Sequence, residues 1–190
     1  MKGTRHNGRS GKDGVYNPLH NDRRFDPEHS EHIDNERVRQ NIYWDCYQGY
    51  TTMEDQGKED NFSFSQIEMA YYSEHYSDYV INQNKRHEKA RHPDRCKGVE
   101  EILKNKKTCP EESIYQLGTI DEHASVETLI RVFDEFKKEF DERFGSNVHI
   151  IDWSLHMDES TPHIHERHVF DATNPVSYTH LRAHETCADL

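Results

Sequence analysis

Cysteine is scarce and scattered. Cys46, Cys96, Cys109 and Cys187 form no C-x-x-C pair, so neither a disulfide framework nor a zinc knuckle is indicated. Long apolar runs are missing as well, and none approaches the length that spans a bilayer. The N-terminus has no apolar signal core. These absences make a reducing cytoplasm the expected setting. Apolar residues make up only 32% of the 190, no more than the charged ones. That is lean for a globular protein, although aromatics at 11% offset it because each buries a large area. A folded middle with polar ends follows.

Excess positive charge is missing too. A formal net charge of −12 argues, by itself, against a nucleic-acid binder. The distribution argues otherwise. Residues 1–24 carry six Lys/Arg against two Asp, and residues 84–107 carry nine against four Asp/Glu. Two such basic segments can present a cationic face on an acidic chain.

What the sequence does have is histidine, concentrated in His156-Met157-Asp158-Glu159-Ser160-Thr161-Pro162-His163-Ile164-His165. The β-branched and aromatic run Val148–Leu155 reads as a strand, Thr161-Pro162 as a turn, and Ile164–Phe170 as a second strand. Alternation along a strand turns His163 and His165 to one face and Ile164 to the other. His156 can close the site across the hairpin, with Glu159 or Asp158 as a fourth ligand. Neutral imidazoles and a carboxylate suit a first-row divalent ion. With 15 His and 20 Glu in the chain, the spacing H-x-x-E-x-x-x-H-x-H has roughly a 1% chance of arising by composition. A histidine-rich solvated hairpin is the bland alternative.

The rest of the chain alternates strands and helices. Residues 1–14 are Gly-rich and basic, and they read as a disordered arm. Residues 16–24 and 33–44 read as loop, turn and short strand, and residues 51–62 as a loop. A long helix is expected to open at Ser65, with Glu68 completing a capping box, and to run toward Arg91. Tyr71, Tyr72, Tyr76 and Tyr79 are expected to pack rather than to stack on bases. Val99–Leu103 suggests a short helix, Thr108–Glu112 a turn and Ser113–Ile120 a strand. From Ser125 to a stop at Gly145, Val126, Leu129, Ile130, Phe133, Phe136, Phe140 and Phe144 form one helical stripe. This order predicts an α+β domain over residues 15–174: a mostly antiparallel sheet with helices packed on one face.

HMDESTPHIH resembles the metal motif of the Pre/Mob plasmid recombination and mobilisation relaxases, members of the HUH endonuclease class. His163-Ile164-His165 corresponds to the HUH itself. The elements His20-Asn21-Asp22-Arg23 and Asn41-Ile42-Tyr43-Trp44 resemble that family's H-N-x-R and N-I-x-[WY] signatures. The likeness spans about residues 15–172. It implies an HUH-type sheet and an enzyme that nicks and rejoins one strand at a plasmid transfer origin by metal-assisted transesterification, in mobilisation and recombination. It further implies one divalent ion, Mn or Mg, held by His156, Glu159, His163 and His165, with Asp158 orienting a ligand histidine. His20 becomes the nucleophile, with Tyr43 and Tyr47 as fallbacks, and Arg23 a planar fork for phosphate. Asn21, Arg24 and Arg37 are assigned to DNA. The implied partners are single-stranded or hairpin origin DNA and conjugative coupling machinery.

Relatives continue into a dimerisation region and often begin with a strand before the nucleophile, so the domain is expected to be incomplete at its C-terminus. Residues 175–190 resemble translated sequencing-adapter DNA and read as an artefactual or disordered tail. Two other readings carry different consequences. A non-catalytic origin-binding fragment gives no nicked product, and an HUH replication initiator or transposase gives a tyrosine-linked one.

Overall fold

The chain is described by a computed structural model over residues 3–8, 16–24, 33–55 and 58–171. Among these residues, six strands make one sheet: β1 (Gly3–Gly8), β2 (Ile42–Asp45), β3 (Gly49–Thr52), β4 (Glu111–Leu117), β5 (Val148–His156) and β6 (His163–Phe170). Their order is β1-β4-β6-β5-β2-β3, with every neighbouring pair antiparallel. The helices are α1 (Pro18–Asn21), α2 (Phe64–Lys89), α3 (Val99–Leu103) and α4 (Val126–Phe144). The expected α+β class and antiparallel sheet are what the structure has.

β5 and β6 form the central hairpin, and both are buried along most of their length. A strand pair closed to water on both sides needs cover on both sides. Leu129 and Phe133 of α4 pack on Trp153, Leu155 and Ile164. A register shift between Ile150 and Asp152 turns Ile151 to the opposite face. There, Ile151 and Val169 meet Ile67, Tyr71, Tyr72, Tyr76 and Val80 of α2, and Ile102 and Leu103 of α3. The helices therefore divide between both faces, which corrects the expectation of one. Tyr71, Tyr72 and Tyr76 are core residues.

Helix ends follow local chemistry. The Ser63 hydroxyl accepts the Gln66 N–H, and the Gln66 side chain accepts the Ser63 N–H, so α2 opens two residues earlier than expected. Glu68, expected in the capping box, is buried and bonded to Arg167 instead. Arg86, His87 and Lys89 in the last turn complement the helix dipole. α4 begins and ends as its sequence predicts, at Ser125 and Gly145.

Three shorter segments differ from expectation. Gly3–Gly8, read as part of a disordered arm, forms edge strand β1 on β4. Its backbone is satisfied by that ladder, and the Arg5 guanidinium lies 5.6 Å from the Tyr115 ring and 5.8 Å from Phe136, so no apolar alternation marks it. Glu111 and Glu112 belong to β4 rather than to a turn. Pro18–Asn21 is a one-turn helix capped by the Asn17 side chain. The rest of the expected arm, residues 9–14, and the tail 175–190 lie outside the described residues.

Ile164 is fully buried between the two histidines that face the other way. Ile164→Ala is expected to lower the urea-unfolding free energy by about 2–5 kcal/mol while the histidine face keeps its backbone register.

Candidate metal and nucleophile centre

Cross-strand pairing sets the centre. His156 on β5 stands opposite His163 on β6, and Ser154 opposite His165, and directly paired residues share a face. His156 is fully buried, while His163 and His165 retain only slight exposure. Glu159 reaches in from the β5–β6 loop, 3.8 Å from His156 Nδ1 and 3.8 Å from His163 Nε2. His163 Nε2 and His165 Nε2 are 3.0 Å apart.

The outer ring nitrogens are all engaged by oxygen. His156 Nε2 is 2.8 Å from the Asn21 carbonyl, His163 Nδ1 is 2.8 Å from the Thr161 carbonyl, and His165 Nδ1 is 3.0 Å from Glu112 Oε1. A carbonyl can only accept, so those nitrogens carry the protons. Burial raises the Glu112 carboxyl, but the hydrogen bond from His165, with the Arg167 charge and the Asn21 amide, outweighs it and leaves the group below its usual range. The inner nitrogens of His156 and His163 are left as lone pairs, with His165 Nε2 at hydrogen-bond distance from His163 Nε2. His156 Nδ1 is buried without a hydrogen-bond partner. Burial, with His165 alongside, holds His156 and His163 below the ordinary histidine range, so both are neutral. Neutral imidazoles whose second nitrogens are fixed by carbonyl or carboxylate, plus one carboxylate, are a donor set that fits a divalent cation.

Two triplets bring their donor atoms within 4.8 Å of one another: His156, Glu159 and His163, and His20, His156 and His165. His20 sits on α1, with its ring 5.7 Å from that of His156 and 5.5 Å from that of His165. Its side chain is 46% exposed, against almost none for the other three. Burial of its inner edge, then Arg23 and His165, lower its pKa to about 4.

Arg23 does something other than face phosphate. Its side chain is fully buried, with Nε and Nη2 each 2.9 Å from a different Asp158 oxygen and Nη2 2.6 Å from Glu159 Oε1. Nη1 donates to the His20 carbonyl at 2.9 Å and lies 3.3 Å from His20 Nε2. One guanidinium thus joins the His20 segment to the Glu159 loop. It holds a left-handed backbone, φ 55°, a conformation that costs a non-glycine residue about 1–2 kcal/mol. Asp158, expected to orient a histidine, holds this arginine. Burial raises the Asp158 carboxyl, but the Arg23 hydrogen bonds and charge outweigh it and leave it below its usual range.

The residues expected on DNA mostly serve the protein. Asn21 is buried, and its amide donates to Glu112 Oε1 at 2.6 Å. Arg37 Nε donates to the Met157 carbonyl at 2.7 Å and Nη2 to the Glu159 carbonyl at 2.8 Å. Arg24 holds the Asn61 carbonyl and side chain. Arg24 and Arg37 keep part of their side chains in solvent, 25% and 41%. The fallback nucleophiles stand apart. Tyr43 is buried, its hydroxyl on Met53. Tyr47 lies beyond the far end of β2, its hydroxyl 2.5 Å from Glu74. Burial raises the pKa of both phenols.

Sequence reasoning missed Glu112 and Asn41. Glu112 takes both His165 and Asn21 on one oxygen. Asn41 Oδ1 accepts the Met157 N–H at 2.7 Å and so fixes the loop that carries Glu159. These bonds span 53, 91 and 116 residues, so no local pattern announces them.

The model of the plasmid recombination enzyme family, Mob_Pre, matches residues 70–180, which include the β5–β6 hairpin but not His20. No curated protein matches the chain. The fold is similar to a solved structure of the MobM relaxase domain (MOBV; Mob_Pre), Mn-bound and in complex with plasmid pMV158 oriT DNA at pH 6.8. The identity is 19%, the match covers 94% of this chain and 73% of that one, and the TM-score is 0.52. A second Mn-bound structure of that domain with the same origin DNA, at pH 4.6, is 18% identical over the same shares, with a TM-score of 0.49.

The buried fork carries its own test. Removing one partner of a buried ion pair leaves the other uncompensated, so Arg23→Ala is expected to lower the urea-unfolding free energy by about 3–5 kcal/mol. A solvent-facing phosphate ligand would change it by no more than about 0.5 kcal/mol. Because the Asp158 pKa is lowered by folding, its contribution is complete at neutral pH and disappears as the pH falls through the folded-state value. Asp158→Asn should therefore flatten the acid limb of the stability profile below about pH 4.

Proposed function

The chain belongs to the Mob_Pre family of plasmid recombination enzymes, and from that premise we propose that it is a relaxase domain that cuts and rejoins one DNA strand at a plasmid transfer origin. The observation that carries this reading is the set of inward ring nitrogens on His156, His163 and His165, with Glu159 beside them and the half-exposed His20 at the edge.

In this reading His156, Glu159, His163 and His165 hold one divalent cation. That ion, when bound, draws the scissile phosphate in and offsets the negative charge that builds on its oxygens. The physiological choice between Mn²⁺ and Mg²⁺ is left to measurement. Mn²⁺ is the probe because the similar relaxase structures are Mn-bound.

The protein's own groups do the rest. His20 is neutral and accessible, which a nucleophile requires. Arg23 Nη1 lies 3.3 Å from His20 Nε2 and orients the ring. Attack of the His20 imidazole on phosphorus forms a P–N bond and breaks the P–O3′ bond. The 5′ phosphate stays on the protein, and the 3′ oxygen leaves with the proton that the other ring nitrogen of the phosphorylated imidazole gives up through solvent. The reverse attack by that 3′ hydroxyl re-forms the strand, because the phosphoramidate conserves the bond energy. Burial sets Tyr43 against the same task, and the hydrogen bond to Glu74, away from the histidines, sets Tyr47 against it. Arg24 and Arg37, through the surface they keep in solvent, are the candidates for phosphate contacts.

His20→Ala is expected to abolish covalent attachment to a supercoiled plasmid bearing the cognate origin, read as a protein–DNA adduct on a denaturing gel. Its affinity for Mn²⁺ should stay within about threefold of the unsubstituted protein. Full attachment in the variant would reject His20 as the nucleophile. Adduct that survives mild acid would indicate a tyrosine link rather than the more acid-labile phosphohistidine.

A further inference from the structure

A cavity of about 410 Å³ is lined by residues of α1, α2 and α3 and by Arg167 of β6. Leu19 lines it, while the next residue, His20, faces His156 and His165. Its walls are largely apolar, from Tyr16, Pro18, Leu19, Met69 and Leu103. Its polar lining includes Glu68 and Arg167. Arg167 is 1% exposed, and its Nε is 2.5 Å from Glu68 Oε1. Its Nη1 is buried with no hydrogen-bond partner. Burial works against the guanidinium charge, but Glu68, Asp152 and Glu112 around it keep it protonated.

An unmet buried donor costs about 1–3 kcal/mol, and Nη1 shares that state with both carboxylate oxygens of Asp152, its cross-strand partner, behind a cavity that Arg167 helps to line. The lining restricts what a ligand there would be. Apolar walls with an aromatic ring call for a flat, stackable body. A donor beside a carboxylate calls for an edge that carries both an acceptor and a donor. Glu68 and Glu100 balance Arg167 and Lys104 around the cavity, so its lining carries no net positive charge to draw in a free phosphate. The volume lies at the small end of ligand pockets, roughly 300–1,000 Å³.

We propose that this cavity receives one unstacked nucleobase of the strand that is cut, its faces against Tyr16, Met69 and Leu103 and its edge on Arg167 and Glu68. The inference rests on the relaxase reading and deepens it. Arg167 follows His165 by two residues on the same face of β6, about 7 Å along the strand. A phosphate at His20 therefore places a neighbouring base at the mouth of the cavity. The pocket ties the cutting position to a base that has left its stack, and every base offers both a π-face and a donor–acceptor edge.

The test fills the pocket. Fluorescein-labelled oligo(dA), oligo(dC), oligo(dT), alternating oligo(dG-dT) and an abasic oligomer of equal length are titrated by anisotropy against the unsubstituted chain, Met69→Trp and Leu19→Trp. The unsubstituted chain is expected to bind at least one base-bearing oligomer roughly 5- to 150-fold more tightly than the abasic one, the equivalent of one stacked base. Both variants should bring that ratio close to one with the abasic affinity unchanged. Leu19 is 38% exposed, so its substitution does not depend on repacking the core and decides the matter if Met69→Trp fails to fold. An unchanged ratio in the folded variants overturns the proposal and leaves a water-filled void. Failure of every oligomer to bind the unsubstituted chain strikes the relaxase reading itself, and this inference with it.

Discussion

Three imidazoles turn one nitrogen each toward a common centre because their other nitrogens are already committed. Asn21 and Thr161 offer carbonyls, and Glu112 offers a carboxylate, to His156, His163 and His165. The result is a 3.0 Å approach of two ring nitrogens and a third buried with no partner. An unmet buried polar atom costs about 1–3 kcal/mol, and a cation held among these nitrogens would give His156 Nδ1 a partner. The centre is stable in proportion to what it binds.

Holding that arrangement falls to the short segment that bears His20. α1 is one turn long, far too short to be helical on its own account. It is fixed at both faces of Asn21, by the carbonyl on His156 and the amide on Glu112, and by Arg23 on Asp158 and Glu159. The same bonds that set the ligand histidines therefore set the candidate nucleophile. Asp22 extends the chain of support by accepting the Phe64 N–H at the start of α2. Strain at Arg23 is offset by a buried, three-armed ion pair.

What the sequence revealed and what it hid divide along a physical line. Alternation put His163 and His165 on one face, and the hairpin brought His156 opposite, because register in a strand pair follows from the sequence of two adjacent runs. The stripe of α4 and its caps at Ser125 and Gly145 were legible for the same reason: the pattern is local. β1 was hidden because Arg5 and a partner's backbone hold it, not a run of apolar residues. The roles of Asn21, Arg23 and Asp158 were assigned by likeness to DNA or histidine partners. The structure turns them inward, across 91 and 135 residues, a separation at which no spacing rule operates. Helices on both faces follow from two strands buried almost throughout, which the mixed composition of β5 disguised.

The central claim is that the three inward nitrogens and Glu159 constitute one cation site. Isothermal titration of the chain with Mn²⁺ measures it directly, alongside a His163→Ala/His165→Ala variant of unchanged circular dichroism. The account predicts one ion per chain in the unsubstituted protein and no measurable binding in the variant. Equal binding in both, or none in the unsubstituted protein, would contradict it.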